Sequence, residues 1–187
     1  MKMQMPKFTR EELAGMLSLL NEHLRASGVT GEVCIVDGAA MILAFGSRES
    51  TRAIDALVLA PASIRAAVAQ VAQAHGLPEN WLNDGAKGFA AGQSTEVKEL
   101  LRFSHLRVVA PPAEYILAMK CIAARVGLDE HDKEDAKFLV RHLGLRSAEA
   151  VLKIVEKYYP KERIPAKTPF FVEEACHELF SKTHELG

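Results

Sequence analysis

The stretch from Gly46 to Ala60, GSRESTRAIDALVLA, contains side chains spaced for metal or phosphate chemistry. Asp55 stands at the start of an apolar run, and Ala53 occupies the position two residues before it. Side chains alternate along a strand, so positions 53 and 55 of a strand face the same way, roughly 6–7 Å apart. Two carboxylates at that spacing can hold a divalent cation between them, and here one of the two is alanine. The alternative interpretation is that Asp55 only caps the polar loop before the strand.

Gly38 is the second residue with a chemical implication. It follows the apolar segment from Val33 to Val36 and precedes another, from Ala39 to Phe45. A glycine lets the backbone approach a ligand closely, and a helix that starts here presents free N–H groups. The arrangement suits a phosphate, which a cation held at Asp55 would share.

Lys120 is the third residue with a chemical implication. In the segment YILAMKCIAARV, residues 115–126, only Lys120 and Arg125 are charged. A lysine amid so many apolar residues is at least half buried and needs an anion. Asp132, Asp135 and a ligand phosphate are the candidates. The alternative is a lysine whose stem lies on the apolar stripe while its ammonium reaches solvent.

Other features give weaker signals. Trp81 among polar turn residues either anchors its loop or stacks on a base, and the first role is the commoner. A basic stretch interleaved with tyrosines is either an RNA contact or a solvated helix face with aromatics packed inward. Its residues are Lys153, Lys157, Tyr158, Tyr159, Lys161, Arg163 and Lys167. The scattered histidines do not predict a zinc site.

The elements that must position these residues follow from periodicity and from capping signals. Thr9 to Glu12 forms a capping box for a helix that ends near Gly28. A strand at 33–36, a buried helix at 39–45, a strand at 54–59, a helix at 62–75 and a strand at 104–109 are predicted next. Further helices are predicted at 113–126, 130–142, 147–158 and 169–182, with Ser147 and Thr168 as N-caps. We expect an α/β or α+β fold with a small mixed sheet, in which residues 1–110 form the core and 111–187 a helical part packed on it.

Composition limits the class of protein. The 187 residues are 49% hydrophobic and 25% charged with a net charge of −1, which is typical of a globular protein without a global basic field for nucleic acid. The three cysteines are far apart and fit neither a disulfide framework nor a metal motif. No apolar run is long enough to span a bilayer, and the N-terminus lacks a signal-peptide core. We therefore expect a cytoplasmic protein with no membrane partner.

Two segments in order resemble one superfamily. Residues 36–55, VDGAAMILAFGSRESTRAID, resemble the signature of the minimal nucleotidyltransferases, in which a strand, a Gly-Gly or Gly-Ser turn and a helix precede Asp-x-Asp on the next strand. The stretch AMKCIAARVGLDEHDKEDAKFL resembles the lysine helix and Asp-x-x-Asp of the AbiEii/AbiGii and MenT toxin branch. The likeness spans most of residues 30–160, and LPENWLNDGAKGF is similar to a poorly characterised bacterial subgroup.

The resemblance implies a role for each matching position. Gly38 would lie under the triphosphate, and Asp55 would be the second acid of the pair that binds Mg²⁺. Lys120 would contact the phosphates, while Asp132 or Asp135 would position it or assist the acceptor. The residues beside the nucleotide would be Ser47, Arg48, Ser50 and Thr51.

Two positions depart from the pattern. Asp37 replaces the first glycine and brings a negative charge close to the expected phosphates. Ala53 replaces the first metal-binding aspartate, and losing one ligand of a two-metal site removes several kcal/mol of transition-state stabilisation. Because the other positions of the pattern are retained, a deliberately silenced enzyme is favoured over a natural pseudoenzyme.

The resemblance implies an enzyme that moves a nucleoside monophosphate from an NTP to a hydroxyl of RNA, tRNA 3′ ends above all, or of a protein. Two Mg²⁺ ions would polarise the α-phosphate and activate the acceptor, and an antitoxin is an expected partner of the toxin branch. The chain as written is expected to be inactive. The alternatives are a non-catalytic pseudoenzyme or partner-binding module of the same fold, and an unrelated small-molecule-binding domain.

Overall fold

A computed structural model describes residues 6–91, 96–124 and 130–181. The chain forms two compact units. The first consists of Met1–Gly88 and Glu96–Pro111, and the second of Phe89–Thr95 and Pro112–Gly187. The main boundary thus falls one residue after the predicted position 110, and the segment at 89–95 joins the helical unit.

The first unit contains a mixed five-stranded sheet. Its elements are β1 (Phe8–Thr9), α1 (Arg10–Ala26), β2 (Gly31–Val36), α2 (Asp37–Phe45), β3 (Ser50–Thr51), β4 (Ile54–Ala60), α3 (Ile64–His75), β5 (Leu82–Asn83), β6 (Lys98–Arg102) and β7 (Leu106–Ala110). The strand order is β5-β4-β2-β7-β6, while β1 and β3 form a separate pair. β2 is antiparallel to β4 and parallel to β7. This mixed sheet, followed by helices, confirms the predicted α+β class.

The helices of this unit form where the local signals predict them. The Thr9 hydroxyl accepts a hydrogen bond from the Glu12 N–H, the Glu12 carboxylate accepts one from the Thr9 N–H, and the predicted capping box is confirmed. Leucines at helical spacing on α1 are fully buried, and each stabilises the fold by about 1.5–3 kcal/mol. Gly46 ends α2 with φ 62°, and Gly76 ends α3 with φ 64°, conformations that favour glycine.

β6 has no counterpart among the predicted strands. Its sequence, KELLR, consists of residues common in helices, and it forms an exposed edge strand antiparallel to β7. Phe103 donates its N–H to the Leu106 carbonyl, 2.8 Å away, and so closes a hairpin. Glu99 bonds Arg102 and Arg107, which blunts the sheet edge with charge.

The second unit contains the helices α4 (Ala113–Ala123), α5 (Glu130–His142), α6 (Ala148–Tyr158) and α7 (Thr168–Ser181). The Ser147 hydroxyl accepts the Ala150 N–H, which confirms Ser147 as the N-cap of α6. The last residues of the predicted helices 113–126 and 169–182 lie outside the described residues. Within those described, no helix combines the length and apolarity needed to cross a membrane.

α7 begins one residue earlier than predicted. Thr168 is itself the first helical residue, and its fully buried hydroxyl donates to the Cys121 carbonyl at 3.2 Å. The side chain thus satisfies a carbonyl near the C-terminal end of α4.

Candidate functional site

The junction of β2 and α2 places Gly38 in the first turn of a helix. The strand ends at Val36, and α2 starts directly at Asp37, whose φ of 53° lies in the left-handed region. Aspartate tolerates this conformation better than most residues, and glycine tolerates it without strain. The positive φ at position 37 is therefore a physical reason why the nucleotidyltransferase signature has a glycine at the position that Asp37 occupies in this chain.

Gly38 is buried beneath two polar side chains of the first unit. A Cβ atom added to it would lie 2.5 Å from the Thr51 hydroxyl oxygen and 2.8 Å from a guanidinium nitrogen of Arg48. Both distances are shorter than real Cβ contacts, so a side chain at position 38 would force Thr51 and Arg48 to shift. The structure therefore brings together three residues of the predicted nucleotide set.

The other two residues of that set lie further along the loop. The Ser47 hydroxyl donates to the Met41 carbonyl at 3.2 Å, so this side chain lies at the C-terminal end of α2, opposite to Gly38. Ser50 is half-buried in β3, where it pairs with Thr9. Neither residue is shown beside Gly38.

Asp55 lies at the same end of the sheet as the start of α2. It pairs with Val36 across the antiparallel β2–β4 ladder, and Val36 is the residue directly before the helix. Its side chain is half-buried. The topology thus brings the Asp55 carboxylate to the N-terminus of α2, which carries the positive end of the helix dipole. The same helix contains Gly38, which lies close to the Arg48 guanidinium.

Ala53 lies outside β4, whereas the prediction from side-chain alternation assumed that positions 53 and 55 belong to the same strand. The strand begins at Ile54, and Ala53 sits in the bend between β3 and β4, where its carbonyl accepts the Thr51 hydroxyl at 3.4 Å. Alternation along an ideal strand therefore does not fix the direction of its Cβ. With alanine at this position, Asp55 is the single carboxylate of the predicted pair, and the residues present do not fit a paired-carboxylate Mg²⁺ site.

Lys120 is the central charge of a buried cluster in the second unit. Its side chain is 4% exposed, and its ammonium lies 2.9 Å from an Asp132 carboxylate oxygen and 2.8 Å from one of Asp135. Asp132 is 19% and Asp135 4% exposed. Asp132 and Asp135, two of the anions considered from the sequence, are therefore partners of the Lys120 ammonium. The alternative in which this ammonium reaches solvent is wrong.

A second charged cluster connects α5 to α7. Lys133 bonds Glu174 and Glu178, and Lys137 bonds Glu134 and Glu178. The hydrogen bond from Lys133, followed by that from Lys137, lowers the pKa of Glu178 to about 2. Burial disfavours the charged form of Lys137, but its hydrogen bonds to Glu134 and Glu178 outweigh this effect and raise its pKa. The sequence does not predict this cluster, because lysine and glutamate on adjacent helices give no signal of their pairing.

The aromatic residues among the weaker candidates have structural roles. Trp81 is fully buried and donates its indole N–H to the Val68 carbonyl at 3.1 Å, so it anchors its loop. Tyr159 is also buried, and its hydroxyl donates to the Phe89 carbonyl. Tyr158 packs edge-to-face on Tyr115 with 5.2 Å between the ring centroids. The tyrosines of the basic stretch therefore pack inward.

Arg10 is a further residue of the first unit whose contacts the sequence does not predict. Its guanidinium donates to the carbonyls of Ile42 and Leu43, 2.8 and 3.1 Å away. A cation here satisfies carbonyls at the C-terminal end of α2, where the helix dipole is negative. The contact is long-range in sequence, so no local pattern indicates it.

Comparison of the chain with models of known protein families, with curated proteins and with solved structures found no match.

Proposed function

We propose that the first unit is a nucleotidyltransferase-like core, and that the chain derives from an enzyme that transfers a nucleoside monophosphate from an NTP to a hydroxyl of RNA or protein. The observation that supports this most directly is the pairing of Asp55 with Val36, the residue before α2. It places an acid beside a helix start whose buried Gly38 lies against Arg48 and Thr51. A carboxylate, a guanidinium and a helix N-terminus together suit a nucleotide phosphate bound with a cation.

The chain as written is inactive in this proposal. With Ala53 at the position of the first acid, one carboxylate remains where the reaction class needs two to hold its metal ions. An aspartate at position 53 would supply the second. Position 53 lies two residues from Asp55 and accepts a hydrogen bond from Thr51 through its backbone, so a new side chain leaves that bond intact.

The test is label transfer from an α-labelled NTP to total RNA and to protein, with and without Mg²⁺. We expect Ala53→Asp to label an acceptor in the presence of Mg²⁺ and the unaltered chain not to do so. Ala53→Asn, which has the same size without the charge, is the matched control and stays inactive. Absence of labelling by Ala53→Asp across the four NTPs and both acceptor classes would count against the enzyme proposal.

A non-catalytic binding module of the same fold is the second candidate. The observation in its favour is that Thr51 and Arg48 already fill the space above Gly38. A triphosphate held over this turn would have to displace them or take them as ligands. Thermal stabilisation of the unaltered chain by an NTP, together with no labelling by Ala53→Asp, is the result expected of this candidate.

A further inference from the structure

One side of β4 is covered by a neighbouring strand only in part. β4 extends over Ile54–Ala60, and its inner side pairs with β2 along nearly its whole length. On its outer side, β5 pairs only with Ile54 and Asp55. Among the described residues, no backbone hydrogen bond joins the outer side of residues 57–60 to another segment. The backbone groups along this side therefore present the donors and acceptors that an added strand would pair with.

The two edges of the five-stranded sheet differ in charge. At the β6 edge, Lys98, Glu99 and Arg102 are exposed, and such charges oppose pairing with another chain. Residues 57–60, LVLA, contain no charged residue, proline or glycine. An uncharged apolar edge pairs readily with other chains, so proteins usually block or cover one that has no partner. The composition of β4 therefore indicates an edge that belongs to an interface.

A cavity places the surface of α3 next to this edge. Its volume is about 340 Å³, and its apolar wall consists of Leu59 from β4, Val68 and Ala69 from α3, and Leu82 from β5. Leu59 is 9% exposed, so the wall continues from the core of the unit to its surface. A strand added to an edge gains affinity from its main-chain hydrogen bonds and packs its side chains into adjoining pockets. The cavity provides such a pocket.

The exposed side of α3 is nearly free of charge. Its exposed residues between Arg65 and the terminal His75 are uncharged, namely Ala66, Ala69, Gln70, Gln73 and Ala74. The Arg65 guanidinium is itself paired, because it lies 2.6 Å from an Asp84 carboxylate oxygen. The centre of an interface is depleted of charged residues, whereas free surface is rich in them. Across a twofold axis like charges would face each other, so an uncharged patch suits a second copy of this chain.

We propose that the outer side of β4 pairs with the same side of a second copy, in a twofold-symmetric dimer joined by an antiparallel β4–β4 ladder. Symmetry matches the lengths. In each copy β5 occupies the position beside the first two residues of β4, the second copy occupies the position beside residues 57–60, and the strand ends before Pro61. The two five-stranded sheets then form one continuous sheet. This inference does not rest on the proposed function.

The test combines analytical ultracentrifugation of the full chain over a range of concentrations with amide hydrogen exchange. We expect a monomer–dimer equilibrium without larger species, because a twofold contact is closed. Outward-facing amides of residues 57–60 should gain protection as the dimer fraction rises, whereas those at the outer side of β6 should not. The dissociation constant should change little with salt, because no ion pair forms the centre of the interface.

Two variants and a matched control test the location. Ala69→Arg places like charges from the two copies beside the same ladder and should weaken the dimer by about 10-fold or more. Leu57→Lys puts a charge on the strand edge itself and should also weaken it. Ala26→Arg, the same substitution at an exposed alanine that ends α1, should leave the equilibrium unchanged. Circular dichroism should show each variant folded; if Leu57→Lys unfolds, Ala69→Arg decides, because Ala69 is exposed.

Three outcomes would overturn the proposal. They are a chain that stays monomeric up to its solubility limit, a dimer in which residues 57–60 exchange as fast as in the monomer, and equal weakening by Ala26→Arg. A monomer whose residues 57–60 become protected only when an unrelated extended peptide is added would assign the edge to a partner of another sequence. Failure of Ala53→Asp to transfer label leaves these measurements unaffected, so the two proposals fail separately.

Discussion

At the scale of single residues, the packing above Gly38 gives a sharp expectation. Thr51 has a stiff side chain held in β3, and its Cβ would lie 3.1 Å from a Cβ at position 38, so Gly38→Ala requires Thr51 to shift. We expect a loss of about 1–3 kcal/mol in the free energy of unfolding, measured by urea denaturation. Gly15→Ala, in the open middle of α1, is the control, and a gain of about 0.5–1 kcal/mol is expected. Equal effects of the two substitutions would contradict the close packing.

The second prediction for a single residue concerns Lys120, which stabilises the fold through its charge rather than its volume. Lys120→Met keeps an unbranched side chain that is one atom shorter, but leaves Asp132 and Asp135 without their shared ammonium. Breaking a buried ion pair on one side costs about 3–5 kcal/mol, and this loss should appear in urea denaturation. Lys120→Met combined with Asp135→Asn should recover part of it. Lys153→Met, at a lysine whose side chain is 71% exposed, should cost less than about 0.5 kcal/mol.

At the scale of elements, the contact between α5 and α7 should respond to pH. The pKa of Glu178 falls from an ordinary 4.5 to about 2 through its bonds to Lys133 and Lys137. The stability it contributes is therefore fully present above pH 4.5 and lost as the pH falls towards 2. We expect Glu178→Gln to unfold more easily than the unaltered chain at pH 6 and equally at pH 2, in urea melts across this range. Glu149→Gln, at a 79% exposed side chain, should show little difference at any pH, and a similar trend there would contradict the assignment.

The helices and strands also show how much of the fold and of the candidate site can be predicted from the sequence. α1, with its capping box, and α2 and α3, each ended by a glycine, were predicted within a few residues. β6 was missed, because its charged and helix-favouring residues form a strand only through pairing with β7. The same limit applies to the candidate site. Gly38 and Lys120 were identified from local sequence, whereas the contact of Arg10 with α2 and the pairing of Asp55 with Val36 depend on residues brought together by the sheet.

At the scale of the whole molecule, the α+β class is the level at which sequence and structure agree most fully. Fold class depends on the order and number of elements, which periodicity and caps reveal. The assignment of residues to the two units depends on tertiary packing instead. Residues 89–91 belong to the helical unit, where the Tyr159 hydroxyl donates to the Phe89 carbonyl and the Ala91 N–H donates to the Tyr115 hydroxyl. The local sequence does not predict either bond.

The three buried cysteines can report the opening of each unit. Cys34 lies in β2, whereas Cys121 and Cys176 lie in α4 and α7. Burial, with Glu32 as a lesser cause, raises the pKa of the Cys34 thiol to about 11, and burial also raises the pKa of Cys121 and Cys176. Because the thiolate is the nucleophile, alkylation at pH 8 requires the surrounding structure to open.

We therefore expect all three thiols to resist iodoacetamide in native buffer and to react in concentrated urea. Site-resolved mass spectrometry after labelling pulses at increasing urea should show Cys121 and Cys176 reacting together, because they belong to one compact unit, while Cys34 follows the opening of the other. Reaction of Cys176 well before Cys121 would mean that α7 detaches locally. In that case the Lys133–Glu178 contact, rather than the core of the unit, would limit its stability.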